Sequence, residues 1–149
     1  MLSKPPALVS LNPDDDHARY VGHLSDGRQF FLTNPFVPAN QYPLGREFIA
    51  LYLFDPTGKL EEARVVDLGT RADLQMDNFE RQFAQVLGEV GEFEPRRIEI
   101  EPFHVERFGV TFGFVLRPPE KTADGWCVTV EPGNYMEFHE PWDSGEYYT

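Results

Sequence analysis

The run Glu47-Phe48-Ile49-Ala50-Leu51-Tyr52-Leu53-Phe54 is almost continuously apolar and leads directly into Asp55-Pro56-Thr57-Gly58. A short run of this kind fits a central strand covered on both faces. Proline is preset for the second position of a β-turn and glycine suits the fourth, so the chain reverses there. It returns along Lys59 to Leu68, with Leu60, Val65, Val66 and Leu68 as its apolar content. Whatever else the chain does, it must build layers around this hairpin.

An earlier hairpin is signalled by Ser25-Asp26-Gly27, because Asp and Gly both tolerate positive φ. Its arms are Arg19 to Leu24 and Arg28 to Thr33. The prolines of Asn34 to Pro38 and Gln41 to Gly45 predict a loop, with Phe36 and Tyr42 capping the core or lining a cleft. Residues 1–16 read as an acidic, proline-containing leader, in which Leu8-Val9-Ser10-Leu11 could add a short edge strand. Asp14-Asp15-Asp16-His17 invites a metal reading, but no calcium-loop spacing follows, and a solvated acidic turn is the simpler expectation.

One helix is expected at about 71–90. Ala72, Met76, Phe79, Phe83, Val86, Leu87 and Val90 recur at three- and four-residue steps and make one apolar stripe. Thr70 with Asp73, or Asp77 with Glu80, can start it, and Gly91 stops it. The aromatic pair Phe79/Phe83 fits core packing. Beyond Pro95, Ile98 to Glu101 alternates, Phe103 to Val105 follows Pro102, and Arg107-Phe108-Gly109 turns into Val110 to Leu116. Trp126 to Val130 is a further strand, and Pro132-Gly133-Asn134 turns into the tail. The expected fold is α+β: a largely antiparallel sheet of about seven strands with the helix on one face. Whether the helix also crosses over to set its flanking strands parallel is left open. Residues 17–149 read as one globular domain, tail included.

Thirteen Lys and Arg against 25 Asp and Glu give a formal charge of −12 and a pI near 4.6. Such a chain repels phosphate backbones and anionic membranes. The only basic pair, Arg96-Arg97, is hemmed in by Glu94, Glu99 and Glu101. No apolar stretch approaches spanning length and no signal peptide is visible, so a bacterial-type cytoplasm is expected. The single Cys127 excludes an intrachain disulfide, and its alternating surroundings suggest a small buried residue on a strand. There is no phosphate-binding glycine loop, since Gly109 to Gly113 lacks the following Lys-Ser/Thr, and neither a serine elbow nor a zinc-helix motif occurs. No cofactor is expected.

The candidate chemistry lies in the tail, Tyr135 to Thr149, where aromatic rings alternate with carboxylates and no Lys or Arg appears. His139 with Glu137 two residues before it could supply two metal ligands or an oriented base, with His104 or His23 as the third group. A surface histidine paired with a carboxylate is the plainer alternative. Phe138 and Trp142 are expected to pin the tail to the body. Glu140, Trp142, Asp143, Glu146, Tyr147 and Tyr148 are the expected contacts for a partner with a basic surface. Trp142 thus has two open roles, core plug and partner anchor.

Several strings, taken together, carry a family resemblance: Ser25-Asp26-Gly27 with Phe30-Phe31, Phe54-Asp55 with Gly58, Ile98 to Phe103, Phe112-Gly113, and the ending Phe138-His139-Glu140-Pro141-Trp142-Asp143 to Thr149. In these the chain resembles an uncharacterised bacterial family often labelled formate hydrogenlyase regulatory protein. That family ends in Trp-Asp-Gly followed shortly by Tyr-Asp-Thr, whereas here Ser144 intervenes and Tyr148 stands where Asp would. The resemblance implies a regulatory, non-catalytic protein and supplies no site residues. Acidity, small size and the aromatic-acidic tail point to a protein-binding module of the immunity or antitoxin type, neutralising a basic toxin. A regulator acting through protein contacts is the second expectation. A metal-assisted or acid/base enzyme using His139, Glu137 and His104 is the third.

Overall fold

A computed structural model describes residues 4–14, 18–38, 45–120, 125–133, 136–142 and 145–147. In chain order its elements begin with β1 (Val9–Leu11), β2 (Tyr20–Leu24), β3 (Gln29–Thr33), β4 (Phe36–Val37), β5 (Arg46–Phe54) and β6 (Leu60–Gly69). The helix α1 (Met76–Val90) follows, then β7 (Phe93–Pro95), β8 (Ile98–Ile100), β9 (Phe103–Arg107) and β10 (Val110–Arg117). The chain closes with β11 (Cys127–Glu131), β12 (Met136–Phe138) and β13 (Gly145–Tyr147).

The apolar run of β5 lies inside a sheet covered on both faces. Phe48, Ala50, Tyr52 and Phe54 enter one core, while Ile49 and Leu51 enter another. At the turn, the Asp55 carboxylate accepts hydrogen bonds from the Thr57 N–H at 2.8 Å and the Lys59 N–H at 3.0 Å. These bonds aim β6 back along one edge of β5. The other edge pairs with β3 and then, in unbroken register, with β4. The Pro35 carbonyl keeps that ladder alive by accepting from the Phe48 N–H at 2.9 Å. Phe36 therefore belongs to a strand, where a loop was expected, and Tyr42 lies outside the described residues. Beyond β3 come β2 and β7, so the order across the sheet is β6, β5, β3 with β4, β2, β7. Gly22 makes the last pairing possible, because a Cβ there would run into the Glu94 carbonyl.

The helix starts later than its apolar spacing suggests. Thr70 and Asp73 do engage, hydroxyl to carboxylate at 3.0 Å, but they close a separate turn, and Gln75 is still extended when the helix begins. Ala72 falls outside the helix, and Met76 is 60% exposed. Phe79, Phe83, Val86, Leu87 and Val90 pack on Phe30, Leu32, Ile49 and Leu51. Gly91, at φ 76°, ends the helix as expected. The helix carries the chain from the β6 edge to the β7 edge. Every pairing between those edges is antiparallel, so β6 and β7 run in the same direction without touching.

One helix can cover only one face of β5, and a second sheet covers the other. Its order is β13-β12-β11-β10-β9, all antiparallel. Phe112, Phe114, Val128, Val130, Met136 and Phe138 meet Phe31, Phe48 and Tyr52 between the sheets. A separate pair, β1 with β8, adds the buried Val9, Leu11, Ile98 and Ile100 to this core. The α+β reading holds, but the strands exceed seven and divide among three sheets. Among the described residues no helix is long and apolar enough to cross a membrane.

Candidate interaction surface

Because Phe112, Phe114, Val128, Val130 and Phe138 point inward, strand alternation sends their neighbours to the opposite face of the five-stranded sheet. That face carries His104 and Glu106 from β9, Thr111, Val115 and Arg117 from β10, Cys127, Thr129 and Glu131 from β11, and Glu137 from β12. No helix or sheet among the described residues is layered on it. A shallow concavity of about 470 Å³ opens here, lined by His104, Glu106, Thr111, Val115, Arg117 and Glu131. Arg117 reaches across to β11, donating from Nε to Thr129 Oγ1 at 3.2 Å and from Nη2 to Glu131 Oε1 at 3.3 Å. Such exposed pairs contribute about 1 kcal/mol or less, so they organise the surface more than they stabilise the fold.

Cys127 sits on this face, whereas its sequence surroundings had suggested a buried place in the core. Val128 and Val130 occupy the inward positions, which leaves Cys127 half-buried among polar groups. Burial first, and then the hydrogen bond its thiol donates to the Glu137 carboxylate, push its pKa up to about 11. At neutral pH it is a thiol and a poor nucleophile.

The tail is a hairpin built into the sheet. Thr129 and Val128 of β11 pair with Glu137 and Phe138, and β13 returns with Glu146 opposite Glu137. Phe138 is fully buried, its ring 5.8 Å from that of Phe114. Trp142 packs on the same core while holding φ at 71°, a costly conformation for a bulky residue. Two backbone bonds fix it there. Its N–H donates to the His139 carbonyl at 2.7 Å, and its carbonyl accepts from the Ser10 N–H of β1 at 2.9 Å. Both residues therefore pin the tail. Glu140 is exposed on the hairpin loop, Glu146 and Tyr147 lie on the edge strand β13, and Asp143 and Tyr148 fall outside the described residues.

The histidines stay apart. His139 Nε2 lies 3.2 Å from Glu137 Oε1 at the exposed surface. His104 is on β9, with β10 and β11 between it and β12; three strand spacings amount to about 14 Å. His23 belongs to the other sheet and donates from Nε2 to the Arg97 carbonyl at 2.9 Å. Among the described residues no three His, Cys, Asp or Glu side chains are grouped to hold a metal ion. Of the Asp14 to His17 cluster, Asp15, Asp16 and His17 lie outside the described residues.

The sequence reading did not single out Phe108. It occupies the β9–β10 turn with Gly109, at φ 55° and 72°, the pattern of a type I′ hairpin. Asn or Asp is the ordinary choice before such a glycine, and an aromatic there is strained. Phe108 is nevertheless 51% exposed, with its ring stacked 6.1 Å from Phe48. Phenylalanine before glycine in a two-residue loop was the available signal. No family model, curated protein or solved structure matches the chain.

Proposed function

We propose that the chain is an acidic protein-binding module of the immunity or antitoxin type, taking a basic partner on the outer face of its five-stranded sheet. The observation behind this reading is the uncovered face itself, where Glu106 and Glu131 line a concavity, Glu137 lies on the same face, and the exposed Phe108 occupies the turn beside Gly109 of the lining. Carboxylates on a chain of charge −12 speed the approach of a cationic protein and select it. An exposed aromatic held by a constrained turn loses little freedom on binding, which suits it as an anchor. The tail hairpin extends the same sheet with Glu140 and β13. The test is partner capture from the native host, followed by affinity measurement with Glu106→Lys and Phe108→Ala. Each should weaken binding by about tenfold or more, whereas Glu80→Lys on the exposed side of α1 should not. Affinity should also fall as salt rises. Binding that ignores both face substitutions, or ionic strength, would defeat the proposal.

A further inference from the structure

We infer that β6 is a self-association edge, at which two copies of the chain join their helix-covered sheets into one continuous antiparallel sheet. Leu60–Gly69 is the longest strand of the fold, and among the described residues it pairs only with β5. Along an edge strand every second residue turns its N–H and C=O outward. None of those groups bonds to other backbone among the described residues, and only the Gly69 N–H finds a side chain, the Asp67 carboxylate at 2.8 Å. A long open edge of this kind is a template for another strand. Beside it, Ala63 and Val65 of β6 and Phe103 and Val105 of β9 are only partly buried against the core, so a neighbour would cover apolar surface as well.

The side chains of β6 indicate which neighbour. Two identical edges pair about a twofold axis perpendicular to the sheet, which keeps opposed residues on the same face. A register centred on Glu62 opposes two carboxylates. One centred on Arg64 opposes two guanidinium groups. Registers centred on Val65 or Val66 oppose no opposite charges. Centring on Ala63 sets Glu62 against Arg64 of the second copy, twice. Arg64 already contacts Glu62 of its own chain at 3.1 Å and Glu89 of α1, and its five donors leave capacity for another carboxylate. The mutual repulsion of two acidic chains acts mainly beyond the contact and is screened within about 8 Å at physiological salt.

Sedimentation equilibrium of the full chain at physiological salt should show a dimer. Glu62→Arg and Arg64→Glu should each raise the dimer dissociation constant by about tenfold, since each sets like charges face to face at two places. The double variant Glu62→Arg/Arg64→Glu restores opposite charges and should recover the native constant, although it too loses the Glu89 pair. That recovery separates pairing between chains from any effect of Arg64 on folding. A monomeric native chain, single variants that dimerise normally, or a double variant that stays monomeric would each overturn the inference. A native chain that is monomeric but takes up another protein along β6 would overturn it in the same way.

Discussion

Gln29 is almost fully buried, yet all its polar atoms are occupied. Its Nε2 donates to the carbonyls of Asp55 and Glu99 at 3.2 and 3.1 Å, and its Oε1 accepts from the Glu99 N–H at 2.8 Å. It ties the β5–β6 turn to β8. Gln29→Leu strands those backbone groups and should cost about 2–3 kcal/mol in denaturant unfolding. Tyr52 is the opposite case. Its hydroxyl is buried without a hydrogen-bond partner among the described residues, and burial raises its pKa well above the ordinary phenol value. Tyr52→Phe removes an unsatisfied group without altering the ring contacts, and should stabilise the fold by about 1 kcal/mol. Glu47 is a milder version. Desolvation raises its pKa above the ordinary 4.5, against the pull of Arg71 Nε, 3.7 Å away. Folding therefore favours its protonated form, a contribution present below pH 4.5 and lost as pH rises through the raised value. Glu47→Gln should be more stable than the native chain at pH 7, and unfolding curves taken toward and below pH 4.5 should converge.

Among the elements, the tail hairpin changes most between sequence and structure. Phe138 and Trp142 were legible as pins, but the two strands of the hairpin were not, because β12 and β13 are only three residues each and the pairing of β12 is set by β11. Removing residues 143–149 deletes β13 and leaves Phe138 and Trp142 in place. Circular dichroism should show a folded chain with a lowered Tm. Removing residues 136–149 takes out two buried residues as well, Met136 and Phe138. Losing Phe138 alone is expected to cost about 3–5 kcal/mol, so this longer truncation should unfold the chain. The central hairpin and the helix stop could be read in advance, since Pro56, Gly58 and Gly91 act through their own backbones. The helix start could not. The Thr70–Asp73 pair looks like a cap and forms its own turn, and the outcome depends on where the sheet receives Phe79.

At the scale of the whole molecule, acidity was readable and its distribution was not. A charge of −12 excludes little about shape, and the outer face acquires its character only when strand register turns Cys127, Glu131 and Glu137 the same way. The same register separates His104 from His139, which no spacing along the chain could reveal. The count of sheets was hidden for a related reason: local alternation identifies strands, but packing decides which strands share a sheet. Net charge vanishes near pH 4.6, so light scattering from concentrated solutions should peak there and decline on either side. Trp142 joins three parts of this architecture, with its ring on the core, its N–H on the hairpin loop and its carbonyl on β1. It is one of only two tryptophans, the other being Trp126. In a Trp126→Phe background its fluorescence becomes a built-in reporter. An emission band that shifts to the red before the circular dichroism changes would record the hairpin leaving the body while the sheets still hold.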